Sequence, residues 1–486
     1  MPDADAPNLA TLLVDHPFAD DAGLLFTIDG EVSAGRARTD ARAMADRLRD
    51  AGVGAGSAVA VALPNGPEVV TTMAAVWLAG AVFVPVNARY PEAEVERVLT
   101  ATDAAAIVRA GADGPEVTPR PSSRVYDPGV AFVMWTSGTT GAPKAILHTH
   151  TAYFELLDRV LGPLRAQGGA RDADAPPRRP SPNLIPVSLA LNAGIYNALF
   201  GMRAGAALVI MDRFEPREFA ALVERHEIRS TVLPPAAMAM LTADDGVTDL
   251  TPLRYVRSIT APLSPLQARR FTDKFGAVVL NSYGQAEIGE VVGWTAADAK
   301  AHPEKVGAIG RPLPGVELRI TGDDGQALAG DAVGLLWVRT PNMAAGYDTG
   351  EELRDRVDAD GYVNTGDLAR VDADGFLWIE GRAGDLINRG GNKVFPEQVE
   401  EVLCLVPSIT EAAVVGVPDE RLGEVPVAFV VGDAPDAELE ARCREHLVPY
   451  KVPVAFVHVD ALPRSEVGKV LRRELAAGYA ADRASS

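Results

Sequence analysis

From about residue 25 to residue 330, short β-rich runs alternate with helix-like stretches, and this rhythm limits the fold more than any other feature. The runs "AVAVALP", "AAIVRA", "AALVIMD" and "STVLPP" carry the apolar residues of buried strands. Between them, "RTDARAMADRLRDAG" and "PREFAALVERHEI" read as helices, and "RYPEAEVERVLTATDA" adds early acids and Pro91 near its start. Parallel strands need a crossover, and a helix is the usual one. The rhythm therefore predicts parallel sheets covered by helices. The most apolar window, "AAVWLAGAVFVPVN" (74–87), is short and interrupted by Gly80 and Pro85. It reads as a buried helix followed by a strand, not as a membrane span.

The texture changes between about 306 and 380. "VELRITGDDGQALAGDAVGLLWVRT" and "LARVDADGFLWIEG" alternate with a period of two and turn at acidic-glycine corners, which predicts antiparallel β structure. A Gly-rich stretch then runs into a helix, and the final hundred residues carry the strands "EAAVVGVPD", "PVAFVV" and "VAFVHV". A chain of 486 residues exceeds one ordinary core. We therefore expect domains at 1–383 and 384–486, with the boundary at Gly384. Residues 165–183, rich in Gly, Pro and charge, read as a solvated surface loop.

Charge narrows the partners. The formal net charge is −20, which argues against a nucleic acid or an anionic membrane. Any nucleotide must be held by local donors against that field. Cys404 and Cys443 form neither a disulfide framework nor a metal spacing; they read as small buried hydrophobes and fit a cytoplasmic location. The start, "MPDADAPNLATLL", lacks the basic region and apolar core of a signal peptide.

The stretch "TSGTTGAPK" (136–144) follows the apolar run "VAFVMW" and packs Thr136, Ser137, Gly138, Thr139, Thr140 and Gly141 ahead of Lys144. Small residues let backbone amides approach a phosphate, and hydroxyls add donors. In a Walker loop the lysine directly follows a glycine and a hydroxyl residue comes next. Here Lys144 follows Pro143 and precedes Ala145, so the spacing disfavours a P-loop kinase or ATPase.

This loop resembles the phosphate loop of the adenylate-forming superfamily of acyl-CoA synthetases, adenylation domains and luciferases. "NSYGQAE" (281–287) resembles the family's Tyr-Gly-x-Thr-Glu motif, and "YVNTGDL" (362–368) its ribose motif. "EGRAGDLINRGGNKVFPEQVE" resembles its hinge, and "LPRSEVGKVLRREL" its C-terminal lysine motif. The order is the family's, and the resemblance covers essentially the whole chain. It implies an α/β fold: a large N-terminal domain of α/β subdomains plus a small β-barrel, and a small mobile α+β C-terminal domain. It implies a ligase that uses ATP and Mg2+ to turn a carboxylic acid into acyl-AMP, with CoA as co-substrate.

Roles follow from the same resemblance. Lys144 and the hydroxyl loop would hold the β- and γ-phosphates, and Glu287 would bind magnesium. Asp367 and Arg382 would meet the ribose, and Tyr283, beside Ala261 and Pro262, the adenine. Lys469 would bridge carboxylate and α-phosphate, and Gly384 would be the pivot that brings "NRGGNK" (388–393) in for transfer. Taken singly, an aspartate after Thr-Gly is an ordinary turn residue and a terminal lysine an ordinary surface charge.

The chain also departs from the pattern. Ala286 replaces the motif's threonine, and Ile259 and Thr260 stand for glycines before Ala261. "PVSLALNAGIYNALF" lacks both the aspartate that would hold an α-ammonium and the family's aromatic-His gate. Leu189, Leu191, Asn192, Gly194 and Tyr196, with Gly284, read instead as a mostly apolar acid pocket containing an amide. The acceptor stays open between CoA, a separate carrier protein and an amine. Two further alternatives are another oxyacid, including nitrite-dependent diazotisation of an aryl amine, and a non-catalytic binding homologue.

Overall fold

A computed structural model of the protein describes residues 7–136, 144–166, 180–259, 261, 263–285, 287–341, 343, 346–347, 356–464 and 470–485. The described residues form four sheets. Most of the loop expected at 165–183 lies outside the described residues.

In the seven-stranded sheet, Ala58–Ala62 lies parallel to both Val82–Pro85 and Ala106–Gly111, and Val82–Pro85 lies parallel to Val130–Thr136. The window at 74–87 resolves as expected: the helix Pro67–Leu78 is buried along most of its length and Val82–Pro85 follows it. Gly80, with φ of 74°, makes the turn between them. The aromatic side chains of Trp77, Phe83 and Phe132 are buried in this core, each contributing roughly 1.5–3 kcal/mol of apolar burial.

The nine-stranded sheet holds Gly23–Phe26, Asn183–Ile185, Leu208–Ile210, Ser230–Leu233, Tyr255–Ser258 and Val278–Gln285 in parallel. The helix Pro265–Phe275 shows how sequence sets these crossovers. Ser264 caps it by accepting from the Gln267 N–H at 3.1 Å, Pro265 opens its first turn, and Gly276 ends it at φ of 70°. It buries Ala268 and Phe271 and feeds directly into Val278–Gln285.

Parallel pairing does not extend to the sheet edges. Gly289–Gly293 pairs antiparallel with Val278–Gln285, and Lys144–Thr149 pairs antiparallel with Val130–Thr136. Both departures have the same cause: a few intervening residues suffice for a hairpin, while a crossover needs about a dozen.

The antiparallel texture read after residue 306 becomes a four-stranded sheet ordered Glu317–Thr321, Gly334–Arg339, Val363–Val371, Leu377–Arg382. Beyond it, Ile409–Asp419 and Gly423–Gly432 form the long hairpin of a five-stranded sheet, with Ala455–His458 parallel to its second arm. The helix Pro396–Leu403 closes a separate core there with Val399, Leu403, Val414 and Val430. Cys443 is buried in that core and Cys404 packs against it; burial pushes their thiols up to about 11 and about 12, so neither is a ready nucleophile. Among the described residues no helix is long and apolar enough to cross a membrane.

Candidate active site

The phosphate-loop candidate starts from a strand end. In the hairpin register Thr136 pairs with Lys144, the two standing on antiparallel strands at either end of the candidate loop. A Walker loop leads from a strand into a helix, and here the segment after the loop is the strand Lys144–Thr149. Ser137, Gly138, Thr139, Thr140 and Gly141 lie outside the described residues, as do Pro262, Ala286 and Lys469.

The end of Val278–Gln285 builds the next part. Its register shifts between Tyr283 and Gly284, and the chain turns back through Glu287 into Gly289–Gly293. Gly284 is required there: a Cβ on it would sit 2.2 Å from the Gly289 carbonyl oxygen. Gly289 takes φ of 66°. The hairpin thus presents Tyr283, Gln285 and Glu287 in close succession.

The Thr-Gly-Asp stretch faces it. Thr365, 1% exposed, donates its hydroxyl to the Leu336 carbonyl at 2.8 Å and receives the Asp367 N–H at 3.1 Å. Gly366 bends the strand at φ of 75°. These contacts fix Asp367, which is 3% exposed. Arg382, its register partner on the next strand, lies with Nε 2.6 Å from Oδ1. Tyr283 donates its hydroxyl to Oδ2, and Gln285 Nε2 donates to the same oxygen at 3.0 Å. Burial, then the Asp367 charge, holds the Tyr283 phenol well above its usual range, so it stays a neutral donor. A carboxylate oxygen accepts at more than one site, which leaves acceptor capacity on Oδ1 for a further hydroxyl.

Glu287 is joined to this group through a residue that sequence reasoning missed. Arg356 Nη1 lies 3.1 Å from Glu287 Oε1, while its Nη2 donates to Gln285 Oε1 at 3.2 Å and to the Asn364 carbonyl at 2.7 Å. Nothing local marks Arg356; its partners stand up to 71 positions away. Among the described residues no cluster of His, Cys, Asp or Glu is arranged to hold a metal by itself. One carboxylate fits magnesium nonetheless, because that ion keeps several waters and completes its shell with phosphate oxygens.

In the segment expected to form the acid pocket, the helix Asn192–Arg203 begins tightly: a Cβ on Gly194 would lie 2.1 Å from the Ser188 carbonyl oxygen. Asn65, from far upstream, donates to the Val187 and Met211 carbonyls and accepts from the Leu189 N–H, fixing the segment before that helix. Leu189 is 1% exposed and belongs to the core. Asn192 accepts from the Tyr153 hydroxyl at 3.2 Å. Tyr196 donates to Glu290 Oε2 at 3.3 Å, and Glu290 is the register partner of Gly284. The helix Asn192–Arg203 and the Asp367 network therefore meet on one hairpin. Arg257 joins from Tyr255–Ser258, with Nη1 at 2.8 and 2.9 Å from the two Glu290 oxygens. The residues read from the sequence as a mostly apolar pocket thus border an ion pair.

Gly384 has open space where a Cβ would lie, between the Ala383 N–H bound to the Gly366 carbonyl at 2.9 Å and the Asp385 N–H bound to the Arg382 carbonyl at 3.1 Å.

Comparison with known proteins follows the same lines. A family model described as AMP-binding enzyme matches residues 21–348, and one described as AMP-binding enzyme C-terminal domain matches 398–469. The sulfoacetate–CoA ligase of Cupriavidus necator is 30% identical over 482 residues, covering 91% of each chain. The 2-succinylbenzoate–CoA ligase of Geobacillus kaustophilus is 31% identical over 463 residues, covering 89% of this chain and 90% of its own. Among solved structures, the amide bond synthetase McbA from Marinactinospora thermotolerans superposes with a TM-score of 0.82 at 28% identity, covering 97% of this chain and 99% of its own.

Proposed function

The chain belongs to the AMP-binding enzyme family and is an AMP-forming ligase, and on that premise we propose that it joins a small carboxylic acid to AMP and then passes the acyl group to CoA. Asp367 carries this reading: a buried carboxylate under converging donors from Arg382, Tyr283 and Gln285, linked to Glu287 through Gln285 and Arg356.

The chemistry explains the arrangement. In the first step a carboxylate oxygen attacks the α-phosphorus of ATP, and the bond to pyrophosphate breaks. In the second, the CoA sulfur attacks the acyl carbon, and the bond to AMP breaks. Charge builds around phosphate in the first step, so oriented donors and cations carry the catalysis. Asp367 and Arg382 hold the ribose, and the Tyr283 ring meets the adenine beside Ala261 and Pro262. Thr136 to Gly141 and Lys144 hold the leaving phosphates. Glu287 would hold Mg2+, which would supply positive charge toward those phosphates. Lys469 bridges the substrate carboxylate and the α-phosphate. Leu189, Asn192, Gly194, Tyr196 and Gly284 shape the acid pocket. A pivot at Gly384, between units at 1–383 and 384–486, exchanges Lys469 for the 388–393 loop before transfer.

The likeness to an amide bond synthetase supports a second reading in which an amine replaces CoA. Pyrophosphate release across a panel of acids, with CoA or an amine present and products weighed by mass spectrometry, decides between the acceptors. Release abolished by Lys469→Ala is the expected result. Silence with every acid would sink the activation step itself.

A further inference from the structure

The ion pair beside the helix Asn192–Arg203 does more than hold strands together. Side chains alternate along Tyr255–Ser258: Val256 packs into one core, and Arg257 lies on the opposite face, where it meets Tyr196 and Glu290. The pair is unevenly covered, with 25% of the Arg257 side chain exposed against 11% of Glu290. Both Glu290 oxygens already accept, from Arg257 Nη1 and from the Tyr196 hydroxyl. Among the described residues, Arg257 Nε and Nη2 make no hydrogen bond to the protein. The accessible edge of the cluster is therefore a row of unused N–H donors, one strand from Gly284 and one side chain from the helix that opens at Asn192.

Resting on the reading of this region as the acid pocket, we propose that Arg257 selects acids whose far end carries a neutral hydrogen-bond acceptor, such as a hydroxyl or carbonyl group. Glu290 explains why the group is neutral. It already compensates the guanidinium charge, so a second carboxylate would bring a net negative charge into a mostly enclosed site. A plain hydrocarbon end leaves the donors unpaired, which a built polar site rejects strongly.

Matched acids test this: benzoate against meta- and para-hydroxybenzoate and isophthalate, and butyrate against γ-hydroxybutyrate and succinate. Pyrophosphate release is measured for the wild type, Arg257→Lys, Arg257→Met, and Arg257→Met with Glu290→Met, the last leaving no unpaired charge at the pair. In the wild type the hydroxy acid of at least one set should be favoured in kcat/KM by roughly tenfold or more over both companions. The ratio should fall toward unity in Arg257→Met and in the double variant, and stay intermediate in Arg257→Lys. Preference for the plain or the dianionic acid, or a hydroxy preference that survives in the double variant, overturns the proposal. If no acid releases pyrophosphate, the ligase reading fails, and calorimetric binding of the same acids still decides this one. Binding that favours the hydroxy acid only while Arg257 is present supports the subsite; binding without that preference, or no binding, overturns it.

Discussion

Replacing Asp367 by asparagine separates a nucleotide role from a structural one. The substitution keeps the shape and one acceptor oxygen but turns the other into a donor. The surrounding network cannot reverse to suit it. Gln285 Nε2 also donates to the Thr365 carbonyl at 2.9 Å, and Gln285 Oε1 accepts from Arg356, so that amide is fixed in direction. Arg382 has only donors to offer. The new amide must therefore oppose either Arg382 or Gln285. Losing a hydrogen bond to a charged group costs about 1.5–3 kcal/mol. Arg382 is 33% exposed, so water offsets part of its loss and the stability cost should stay near the lower end, about 1–2 kcal/mol. If the ribose hydroxyls also bond this carboxylate, the same 1.5–3 kcal/mol reappears as a rise of about 10- to 150-fold in the KM for ATP. ATP–pyrophosphate exchange with varied ATP, run beside a thermal melt, reads both quantities. Tyr283→Phe removes one donor and leaves the carboxylate charged, so it should raise the ATP KM far less. An Asp367→Asn enzyme that exchanges pyrophosphate with an unchanged ATP KM would refute the ribose assignment.

Other perturbations reach other parts of the molecule. Burial, then the neighbouring Glu400 carboxylate, raises Glu397 to about 7 against the opposing pull of Arg472, with Asp385 adding a smaller push upward. A raised carboxyl holds a proton in the folded state that the unfolded chain releases above 4.5, so this stability is present below that pH and is lost as pH rises through about 7. Melts of Glu397→Gln over that window should be flatter than the wild type by at most about 3 kcal/mol; parallel curves would refute the linkage. Gly284→Ala drives a methyl against the backbone of the hairpin that carries Glu287, so it should cost about 1–3 kcal/mol and slow acyl-AMP formation; a neutral outcome in both melt and exchange would contradict the tight approach. Gly384→Pro should spare acyl-AMP formation and block transfer to CoA, because no hydrogen bond from the Gly384 N–H is seen among the described residues while proline fixes φ. Equal survival of both half-reactions removes the pivot from that position.

How much of this was legible in the sequence depends on where each requirement arises. Gly284 and Gly366 answer local backbone demands, and the motifs containing them were readable in place. The helix Pro265–Phe275 carries its own cap, first-turn proline and terminal glycine. Strand identity was legible from alternation, but strand order was not, because order is fixed by tertiary packing. Arg257 illustrates the consequence. Its place beside Glu290 depends on Tyr255–Ser258 lying next to Val278–Gln285 and on that strand folding back into Gly289–Gly293. Arg356 and Asn65 act on partners far along the chain and leave no local signature.

These illegible residues share a property with chemical meaning. Arg356 and Arg257 each neutralise a carboxylate on the same hairpin, Glu287 toward the Asp367 network and Glu290 toward Tyr196. On the proposed reading, a chain of net charge −20 receives ATP and an acid carboxylate there. Without these arginines the hairpin would present bare negative charge to anionic substrates, and the global field would add to the repulsion rather than be overcome by it. On that reading, local cationic compensation from other elements is a condition for Glu287 and Glu290 to serve a site in so acidic a protein. The same logic gives the two pairs different consequences. On the proposed reading, Glu287 would exchange part of its arginine contact to hold a metal, whereas Glu290 would keep its partner and leave the guanidinium's outer edge to read the substrate.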